Sequence, residues 1–504
     1  MQSTKSESWR EVFPLQLPVL LTVVLFAAVL FHGARGLYET TEGRYSECAR
    51  EMAQTGSWLE PVLNGHPHWT KPPLTYWAIG VPCAVLGPTT WAARLYLIPC
   101  FLVTVAAVWQ LAFWLWGDRP TARMSATVYA TSAMPLIASQ AVSADGMLTA
   151  ALAVAQAFFW KGVRKRSGIA VHLFWFFAGI AFLVKGPPAL LVLPAVLVVW
   201  LRLPRQERRL VRLFAPTAII VFLVAGFGWY AWEAWRHPGL LGYWLKDEVV
   251  NRSLSDKYFR NPYFYYNFTI YLPVLLIGSL PWGGWLVFRW RALRERVRVP
   301  GGVRNLWAGL SVEAHWLIWA TAFPMAVFML SRSKLPLYVL PLFVPGAVGM
   351  GHALLAAYGK ETWFHKRALS TVCAVWVVFV AGKAMAGFLP QEKDMRQLYL
   401  TLTTQYGLSD PERLAIAGVK PLNGLSYYYD SVVRTVPLDD LPVWADAGGE
   451  RFLLCDPRKA VAAKRKLAGR VIEEQVLSRR RRLLKVAGRS LKPNRDGEEA
   501  AWNR

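Results

Sequence analysis

The sequence predicts a polytopic α-helical membrane protein with a small α/β domain at its C-terminal end. First, apolar runs of about 20 residues, the length needed to cross a bilayer, recur up to residue 390. Second, 54% of the 504 residues are hydrophobic and the mean hydropathy is +0.27, whereas a soluble chain of this length would show several cores separated by polar linkers. Third, the apolar runs stop at Gln391 and short strand-like pieces follow.

Eleven segments are predicted to be full crossings. They are 13–31, 91–116, 121–138, 146–162, 170–184, 187–203, 213–235, 268–289, 308–331, 335–357 and 367–389. The segment 74–86 is interrupted by Pro82 and followed by Gly87, so it is predicted to be re-entrant, interfacial or part of a broken span. The expected total is therefore about 11–13 transmembrane helices. The N-terminal run lacks a small-residue cleavage site and is predicted to be a retained anchor.

The placement of charge predicts the topology. The formal net charge is +25, but the Lys and Arg residues are concentrated in alternate short loops rather than on a nucleic-acid-binding surface. The loops predicted to be cytoplasmic are 117–123, 161–168, 202–212, 289–304 and 358–367. The loops predicted to be external are 139–145, 185–187, 236–267 and 332–334. This asymmetry places the loop 33–73 and everything after residue 390 on the external side.

The loop Tyr38–Leu74 is polar, although it lies between strongly apolar segments. Residues 42–52 fit a short amphipathic helix, and Asn64-Gly65 predicts a turn. The aromatic residues in and after the loop predict that it folds onto the membrane interface. Such a loop is either purely structural or part of a site. Because Glu42, Lys71, Asp145, Lys185, Arg252 and Lys334 all fall on the external side, a shared external cavity is the simpler interpretation.

A set of motifs carries a family resemblance. TEGRYSECAREM (41–52) is followed by the turn WLEPVLNG (58–65) and by KPP (71–73), and later come AD (144–145), VKGP (184–187) and SRSKLP (331–336) with Tyr338 and Pro341. In this order, over residues 38–341, they resemble the aminoarabinose–lipid A transferases. That family comprises membrane glycosyltransferases of the GT-C fold and is similar to the protein O-mannosyltransferases.

The resemblance implies an inverting glycosyltransferase of the bacterial inner membrane. It would move a sugar from undecaprenyl phosphate to a lipid A-like, glycan or protein acceptor on the periplasmic side. The donor phosphate is expected to bind Lys71, Arg252 and Lys334, because fixed cations stabilise the charge that grows on it. Each of these cations is otherwise explained as a side chain that snorkels to the interface.

The catalytic carboxylate is left open, since Thr41 stands where the family pattern has an aspartate. Glu42, Glu39 and Asp145 are the candidates. Glu42 is also explained as an acid at a helix N-terminus, with Thr41 as the cap. The remaining residues expected in the substrate cavity are Thr41, Arg44, Tyr45, His68, Lys185 and Tyr338.

No obligatory metal is predicted. Thr70 stands where relatives often carry a glutamate, and Asp247 stands where some carry a histidine, so a metal site at those positions would lose ligands. His66 and His68 are close in sequence, but two loop histidines are more often incidental. The five cysteines have neither metal-site nor disulfide spacing, so no disulfide framework is expected. A divalent metal that is not obligatory stays open.

Residues 1–390 are predicted to form the transmembrane catalytic domain and 391–490 a small periplasmic α/β domain. Its strands are expected at 425–429, 451–454 and 483–486, with a helix at 458–467. Its basic runs 464–466 and 479–482 are either a solvated face or a contact with anionic lipid headgroups. The tail 491–504 is predicted to be disordered.

Two other functions share much of this pattern. A lipid or sugar transporter, or a flippase, would show repeated halves with helices broken at the middle of the membrane, and no internal repeat is found here. A catalytically inactive relative would keep the fold without the family aspartate.

Overall fold

The structure is a computed structural model that describes residues 13–251, 261–289, 309–418, 420–446 and 448–488. It is mostly α-helical, with one small sheet near the C-terminal end, so the predicted fold class is confirmed. The α-helices are α1 (Leu17–Val29), α2 (Thr41–Thr55), α3 (Leu74–Leu86), α4 (Thr90–Arg94), α5 (Leu97–Trp116), α6 (Arg119–Thr131), α7 (Ala133–Ala138), α8 (Ala144–Lys165), α9 (Gly168–Lys185), α10 (Leu193–Arg202), α11 (Arg205–Val211), α12 (Pro216–Arg236), α13 (Leu240–Tyr243), α14 (Leu272–Gly278), α15 (Trp282–Phe288), α16 (Val312–Leu330), α17 (Phe343–Tyr358), α18 (Thr362–Ala386), α19 (Met395–Tyr406), α20 (Asn423–Tyr429), α21 (Leu441–Asp446) and α22 (Pro457–Lys466).

The remaining elements are short helices of other types and seven strands. The 3-10 helices are Pro187–Val192, Pro336–Leu342, Pro411–Arg413 and Leu438–Asp440, and the π-helices are Trp244–Asn251 and Asn267–Tyr271. The strands are β1 (Val62–Leu63), β2 (His66–Pro67), β3 (Leu414–Ala417), β4 (Arg434–Val436), β5 (Arg451–Cys455), β6 (Val471–Ser478) and β7 (Arg481–Val486).

Seven helical segments of the described chain are long and apolar enough to cross a membrane. They are Thr90–Trp116, Ala144–Lys165, Gly168–Lys185, Pro216–Arg236, Val312–Leu330, Pro336–Tyr358 and Thr362–Ala386. The pair Asn267–Gly278 and Trp282–Phe288 is bent by 84° and makes an eighth if it is one span. The protein is therefore a multi-pass membrane protein, as predicted.

The other predicted spans are shorter or broken. The first predicted span contains only the 13-residue helix α1, and the segment 187–203 contains the apolar helix Pro187–Arg202. The predicted span 121–138 is divided at Ser132, whose ψ of 140° is extended, so the chain leaves the helix between α6 and α7. Length and composition thus support fewer crossings among the described residues than the eleven predicted.

The predicted loop helix is present as α2, an amphipathic helix of 15 residues. It ends at Gly56, whose φ of +69° is the left-handed conformation that glycine adopts without steric cost. The turn at Asn64 and Gly65 joins β1 to β2. The carboxylate of Glu51 accepts the backbone N–H groups of both turn residues, at 2.7 and 2.9 Å, and so ties this turn to α2.

Residues 395–486, from α19 to β7, form a five-stranded sheet with helices on both faces, which we call the C-terminal unit. The strand order is β4-β3-β5-β7-β6, in which β3 is parallel to β4 and β5, and β7 is antiparallel to β5 and β6. Alternate residues of β3 and β5 enter two separate apolar cores. One core includes α19 and α20, and the other includes α21 and α22.

One strand predicted for this unit is wrong. Residues 425–429 lie in α20 and not in a strand. The tyrosines favour a strand, but strand propensity depends on packing. The helix lets its tyrosines reach different partners: the Tyr427 hydroxyl donates to the Thr89 carbonyl at 2.9 Å, and the Tyr429 hydroxyl donates to the Leu408 carbonyl at 2.7 Å.

The C-terminal unit is fixed to the loop by hydrogen bonds on both sides of α2. The Tyr428 hydroxyl accepts from the Leu37 backbone at 2.9 Å, and Asp394 accepts from the Gly36 backbone at 2.8 Å. Arg50, which is buried in α2, donates to the carbonyl of Asp430 at 3.0 Å. The loop is therefore held between the membrane helices and the C-terminal unit.

This contact allows no side chain at Gly43 of α2. A Cβ there would lie 2.5 Å from the Gly424 nitrogen and 2.7 Å from the Glu39 carboxylate. We expect Gly43→Ala to lower the free energy of unfolding by roughly 1–3 kcal/mol, because backbone must move to admit the methyl group. The thermal unfolding midpoint in detergent measures this effect. Gly228→Ala is the control, since no atom lies within 4 Å of its Cβ. Equal midpoints for the two variants would contradict the prediction.

Candidate functional site

A cavity of about 530 Å³ lies between the loop that precedes α3 and the membrane helices. Its walls come from the loop, α8, α9, α12, α13, α16, α17, the π-helix Trp244–Asn251 and the 3-10 helices Pro187–Val192 and Pro336–Leu342. We call it the large cavity. Its polar and partly polar wall residues are Trp69, Thr70, Lys71, Gln156, Lys185, Tyr230, Trp244, Ser331, Ser333 and Tyr338. Within the described chain, Lys71 and Lys185 are the charged residues of this wall.

The large cavity extends deep into the membrane region. Leu148, Leu152 and Gln156 all line it, and their spacing of four residues places them on one face of α8. From Asp145, at the first turn of α8, to Gln156 the helix rises by roughly 16 Å. The cavity thus has a cationic end at the membrane surface and a mainly apolar interior.

Lys71 lies where the loop enters the large cavity. Its ammonium donates to the Thr70 carbonyl at 2.8 Å, and the Thr70 hydroxyl is hydrogen-bonded to His68 Nε2 at 2.7 Å. The Trp244 indole donates to the Trp69 carbonyl at 3.0 Å, which fixes the backbone two residues before Lys71. Lys71 therefore lies in the cavity wall, and His68 contacts the wall residue Thr70. That Lys71 binds the donor phosphate stays a prediction.

Asp145, Lys185 and Tyr338 are brought together at the same end of the cavity. Asp145 and Lys185 form a buried ion pair that joins the first turn of α8 to the end of α9. The Lys185 ammonium also lies 4.4 Å from the centre of the Tyr338 ring, a cation–π contact. The sequence predicted these residues for one site. In the structure, Lys185 and Tyr338 line the cavity wall, and Asp145 forms an ion pair with Lys185.

Lys334 is not among the described residues that line the large cavity. Its ammonium donates to the Ser331 carbonyl at 2.5 Å and is 3.5 Å from the Pro262 carbonyl. Burial lowers its pKa. Its neighbours Ser331 and Ser333 line the cavity instead, so the geometry indicates that Lys334 shapes this turn of the backbone. The other residue predicted to bind the donor phosphate, Arg252, lies outside the described residues.

Glu42 is the centre of a buried network. Its carboxylate accepts from Arg35 at 2.7 and 2.9 Å, from Arg94 at 3.1 Å, and from the backbone of Tyr38 and Val142 at 2.8 and 3.0 Å. Burial alone would raise the pKa of Glu42, but Arg94 and Arg35 outweigh this effect and hold the pKa at about 2. A carboxylate with this pKa and these partners is poorly suited to accept a proton from a substrate.

Glu39 is directed towards the C-terminal unit. One of its carboxylate oxygens accepts from the Gly424 backbone at 2.8 Å, and the other is buried without a hydrogen-bond partner among the described atoms. Burial raises its pKa to about 7. Neither Glu39 nor Glu42 lies in the wall of the large cavity as the described residues form it. Of the three predicted carboxylates, Asp145 is the one that forms an ion pair with a wall residue, Lys185, within the described chain.

The other predicted cavity residues of the loop lie on α2. Thr41 is half-buried in the first turn of the helix. Tyr45 is buried and packs against Tyr76 with ring centres 5.4 Å apart, and the Arg44 guanidinium lies 6.0 Å from the Tyr45 ring centre. In the described part of the chain, these residues support the loop and do not line the large cavity.

Several residues of the site were not predicted from the sequence. Arg94 is the only charged residue in the apolar segment 91–116, which was a usable signal for a buried ion pair. Gln156 is likewise polar within the apolar face of α8 and lines the cavity. Arg35, by contrast, lies in an ordinary polar loop, and only the fold shows that it binds Glu42.

His237 packs against Trp69, which lines the large cavity. His237 Nε2 lies 3.4 Å from the Glu233 carboxylate and 3.7 Å from the Glu60 carboxylate. The His237 ring packs on Trp69, with centres 5.0 Å apart. This cluster therefore holds Trp69 in the wall.

No group of three or more His, Cys, Asp or Glu side chains in the described ranges is arranged to hold a metal ion. His66 is exposed on β2, whereas His68 is bonded to Thr70, so the two loop histidines have different surroundings. That the protein needs no obligatory metal stays a prediction.

Comparisons with known proteins agree with this architecture. The family described as "Dolichyl-phosphate-mannose-protein mannosyltransferase" matches residues 17–234. An undecaprenyl phosphate-α-4-amino-4-deoxy-L-arabinose arabinosyl transferase of Erwinia tasmaniensis is 29% identical over 326 residues, which are 63% of this chain and 55% of that relative. The chain thus aligns with little more than half the length of this curated relative.

Solved structures extend the likeness to nearly the whole chain. The structure of ArnT from Cupriavidus metallidurans bound to undecaprenyl phosphate matches with a TM-score of 0.70 at 20% identity, over 93% of this chain and 97% of that chain. The apo oligosaccharyltransferase of Archaeoglobus fulgidus matches with a TM-score of 0.50 at 11% identity, over 89% of this chain and 71% of that chain.

The fold and the large cavity define the class: this is a multi-pass membrane protein of the GT-C fold. Within that class the chain is ArnT-like and similar to the aminoarabinose transferases. The resemblance predicted from the motifs is therefore confirmed.

The network around Glu42 generates a stability prediction. Glu42→Gln leaves Arg35 and Arg94 without their buried counter-charge, so we expect the free energy of unfolding to fall by about 3 kcal/mol. Glu361→Gln is the control, because Glu361 forms a partly exposed ion pair with Arg289 at 3.3 Å and its loss should cost less than about 1 kcal/mol. Thermal unfolding in detergent measures both. The assignment of Glu42 as a structural anchor fails if its variant is no less stable than the control.

Proposed function

We propose that this protein is an inverting glycosyltransferase that takes a sugar from a polyprenyl phosphate and transfers it on the periplasmic side of a bacterial inner membrane. The observation that carries the proposal is the large cavity, which joins two lysines at one end to a mainly apolar interior that follows α8 for roughly 12 Å, from Leu148 to Gln156. A polyprenyl phosphate has the same division between an anionic head and an apolar tail. The relative and the solved structure named above are associated with undecaprenyl phosphate by their printed names.

In this mechanism the phosphate of the donor lies against Lys71 and Lys185. The bond between the anomeric carbon and the phosphate oxygen breaks, and its electron pair stays on the phosphate. Both ammonium groups stabilise the charge that develops there, and they do so strongly because the surrounding wall is apolar. The acceptor oxygen attacks the opposite face of the anomeric carbon, which inverts its configuration.

The composition of the wall also favours one kind of acceptor. In the described residues the wall contains two lysines and neither aspartate nor glutamate. A hydroxyl acceptor requires a general base, but an ionised phosphate does not. Glu42 is bound by two arginines, Glu39 faces the C-terminal unit, and Asp145 is paired with Lys185. A phosphate-bearing lipid acceptor, such as a lipid A-like molecule, therefore fits the site better than a glycan or a protein hydroxyl.

Asp145 has a positioning role in this proposal. Its ion pair with Lys185 fixes the end of α9 against the start of α8. Because the pair is buried, Lys185 is held beside Tyr338 and does not extend into solvent. The lysine is thus ready for the donor phosphate before the donor binds.

Lys71 provides the most direct test of the proposed function. Lys71→Ala should reduce the release of undecaprenyl phosphate from an undecaprenyl-phosphate sugar by about 100-fold or more, since one stabilising group for the leaving charge is lost. Purified protein in detergent, supplied with a panel of donor sugars and a lipid A acceptor, gives the measurement. Lys466→Ala, which removes an exposed lysine of the C-terminal unit, should leave the rate unchanged. If Lys71→Ala releases undecaprenyl phosphate at the wild-type rate, the assignment of Lys71 to the donor phosphate is refuted.

The pairing of Asp145 with Lys185 predicts non-additive kinetics. Asp145→Asn and Lys185→Gln should each lower kcat/KM by at least about tenfold, because each leaves a buried partner unbalanced. The kcat/KM of the double variant should be no lower than that of the less active single variant, since the two residues act as a unit. A double-mutant cycle on donor turnover measures the coupling. Strictly additive losses would show that the residues act independently.

A further inference from the structure

A second cleft lies at the other end of the membrane helices. It has a volume of about 470 Å³ and is formed where the ends of α8 and α10 meet the start of α11 and of α16. Its charged wall residues are Arg164, Lys165, Arg166, Arg202, Glu207 and Glu313. We call it the basic cleft. Four cations against two anions leave it with a net positive charge among the described residues.

The basic cleft lies about one bilayer thickness from the site described above. Asp145 is at the first turn of α8, and Lys165 is the last residue of the same helix. The 20 residues between these positions span roughly 30 Å, which is the thickness of the hydrocarbon core. The basic cleft therefore faces the lipid headgroups of the leaflet opposite the large cavity.

Two tryptophans near the cleft also indicate that it lies at the height of the lipid headgroups. The Arg164 guanidinium lies 5.4 Å from the Trp160 ring centre, and the Lys165 ammonium lies 5.8 Å from the Trp114 ring centre. Tryptophan is enriched where the hydrocarbon meets the headgroups. Arg164 and Lys165 are thus placed beside aromatic rings that are typical of headgroup height.

Some cations of the basic cleft are not strongly paired within the described chain and are therefore available to a ligand. Arg164 is committed within the protein, because it pairs with Glu313 at 2.5 Å and donates to the carbonyls of Trp114 and Leu115 at 2.9 and 2.8 Å. Arg166 and Glu207, by contrast, are 4.0 Å apart and both are exposed, which makes that pair weak. Lys165 forms no ion pair within the described chain. An anionic ligand with oxygen acceptors would satisfy Lys165 and Arg166.

The negative end of the α8 dipole explains only part of this arrangement. It favours cations in the last turn of one helix, which accounts for Arg164 and Lys165. It does not explain why Arg202, from the end of α10, lies in the same cleft, where its guanidinium is 3.1 Å from His315 Nδ1. Cations from separate helices around one concave site indicate a shared ligand.

We propose that the basic cleft binds the phosphate-bearing headgroup of an anionic phospholipid from the leaflet opposite the large cavity. A lipid fits better than a soluble anion because the cleft lies at headgroup height between membrane helices. Basic clefts between membrane helices are recognised sites for anionic lipid headgroups. The bound lipid would hold the ends of α8, α10 and α16 together. This site is independent of the donor and of the reaction proposed above.

Native mass spectrometry of the full chain in detergent tests the proposal. The apparent Kd is measured for dioleoyl phosphatidylglycerol and for dioleoyl phosphatidylcholine, with inorganic phosphate as a competitor. The test variant is Lys165→Gln with Arg166→Gln. The control, Arg205→Gln with Arg209→Gln, removes the same charge from exposed positions of α11 outside the cleft wall. The four positions are exposed, so both variants should fold, and equal thermal midpoints verify this.

The expected result is that phosphatidylglycerol binds more tightly than phosphatidylcholine to the wild type. The test variant should weaken phosphatidylglycerol binding by about tenfold, and the control should change it by less than twofold. Inorganic phosphate should not displace the lipid. Equal losses in the two variants, no loss in the test variant, or displacement by inorganic phosphate would each overturn the proposal. Donor turnover should persist in the test variant, so failure of this site and failure of the glycosyltransferase proposal can be distinguished.

Discussion

The buried carboxylate of Glu42 is the interaction on which the outer part of the structure depends. A buried charge is tolerated only when it is paired and hydrogen-bonded, and Glu42 takes its partners from three separate parts of the chain. Arg35 precedes α2, Arg94 ends α4, and Val142 precedes α8. If any of these segments moved away, the buried carboxylate would lose an ion pair or a hydrogen bond. The loop, the first long membrane helix and the start of α8 are therefore fixed to one another.

The position of the large cavity follows from that fixed arrangement. With α2 anchored by Glu42 and covered by the C-terminal unit, the rest of the loop returns to the membrane and brings Lys71 to the wall of the large cavity. The start of α8 brings Asp145, which holds Lys185 from the end of α9. Asp145 thus fixes the position of Lys185, while Lys185 and Lys71 are the charged residues that line the cavity among those described. A wall whose charged residues are cations agrees with a site that binds an anionic lipid.

The two ends of α8 give the protein two different membrane surfaces. At its start the helix contributes to a cavity with an apolar interior, and at its end it contributes to a polar cleft rich in arginine and lysine. The same helix thus sets the distance between the two sites at roughly 30 Å. That distance matches the bilayer, so a single element relates the proposed donor site to the opposite leaflet.

The sequence by itself determined the class of protein and the loop helix, and it pointed to Lys71, Lys185 and Tyr338, which the structure places in one cavity wall. These features depend on local signals: hydrophobic length, charge placement and short motifs. Tertiary structure decided the roles of Glu42, Glu39 and Lys334, which depend on partners far away in sequence, such as Arg94 for Glu42 and Gly424 for Glu39. It also decided that the tyrosines of α20 form a helix. Burial and pairing are properties of the folded chain, so no local pattern could show which carboxylate was already bound.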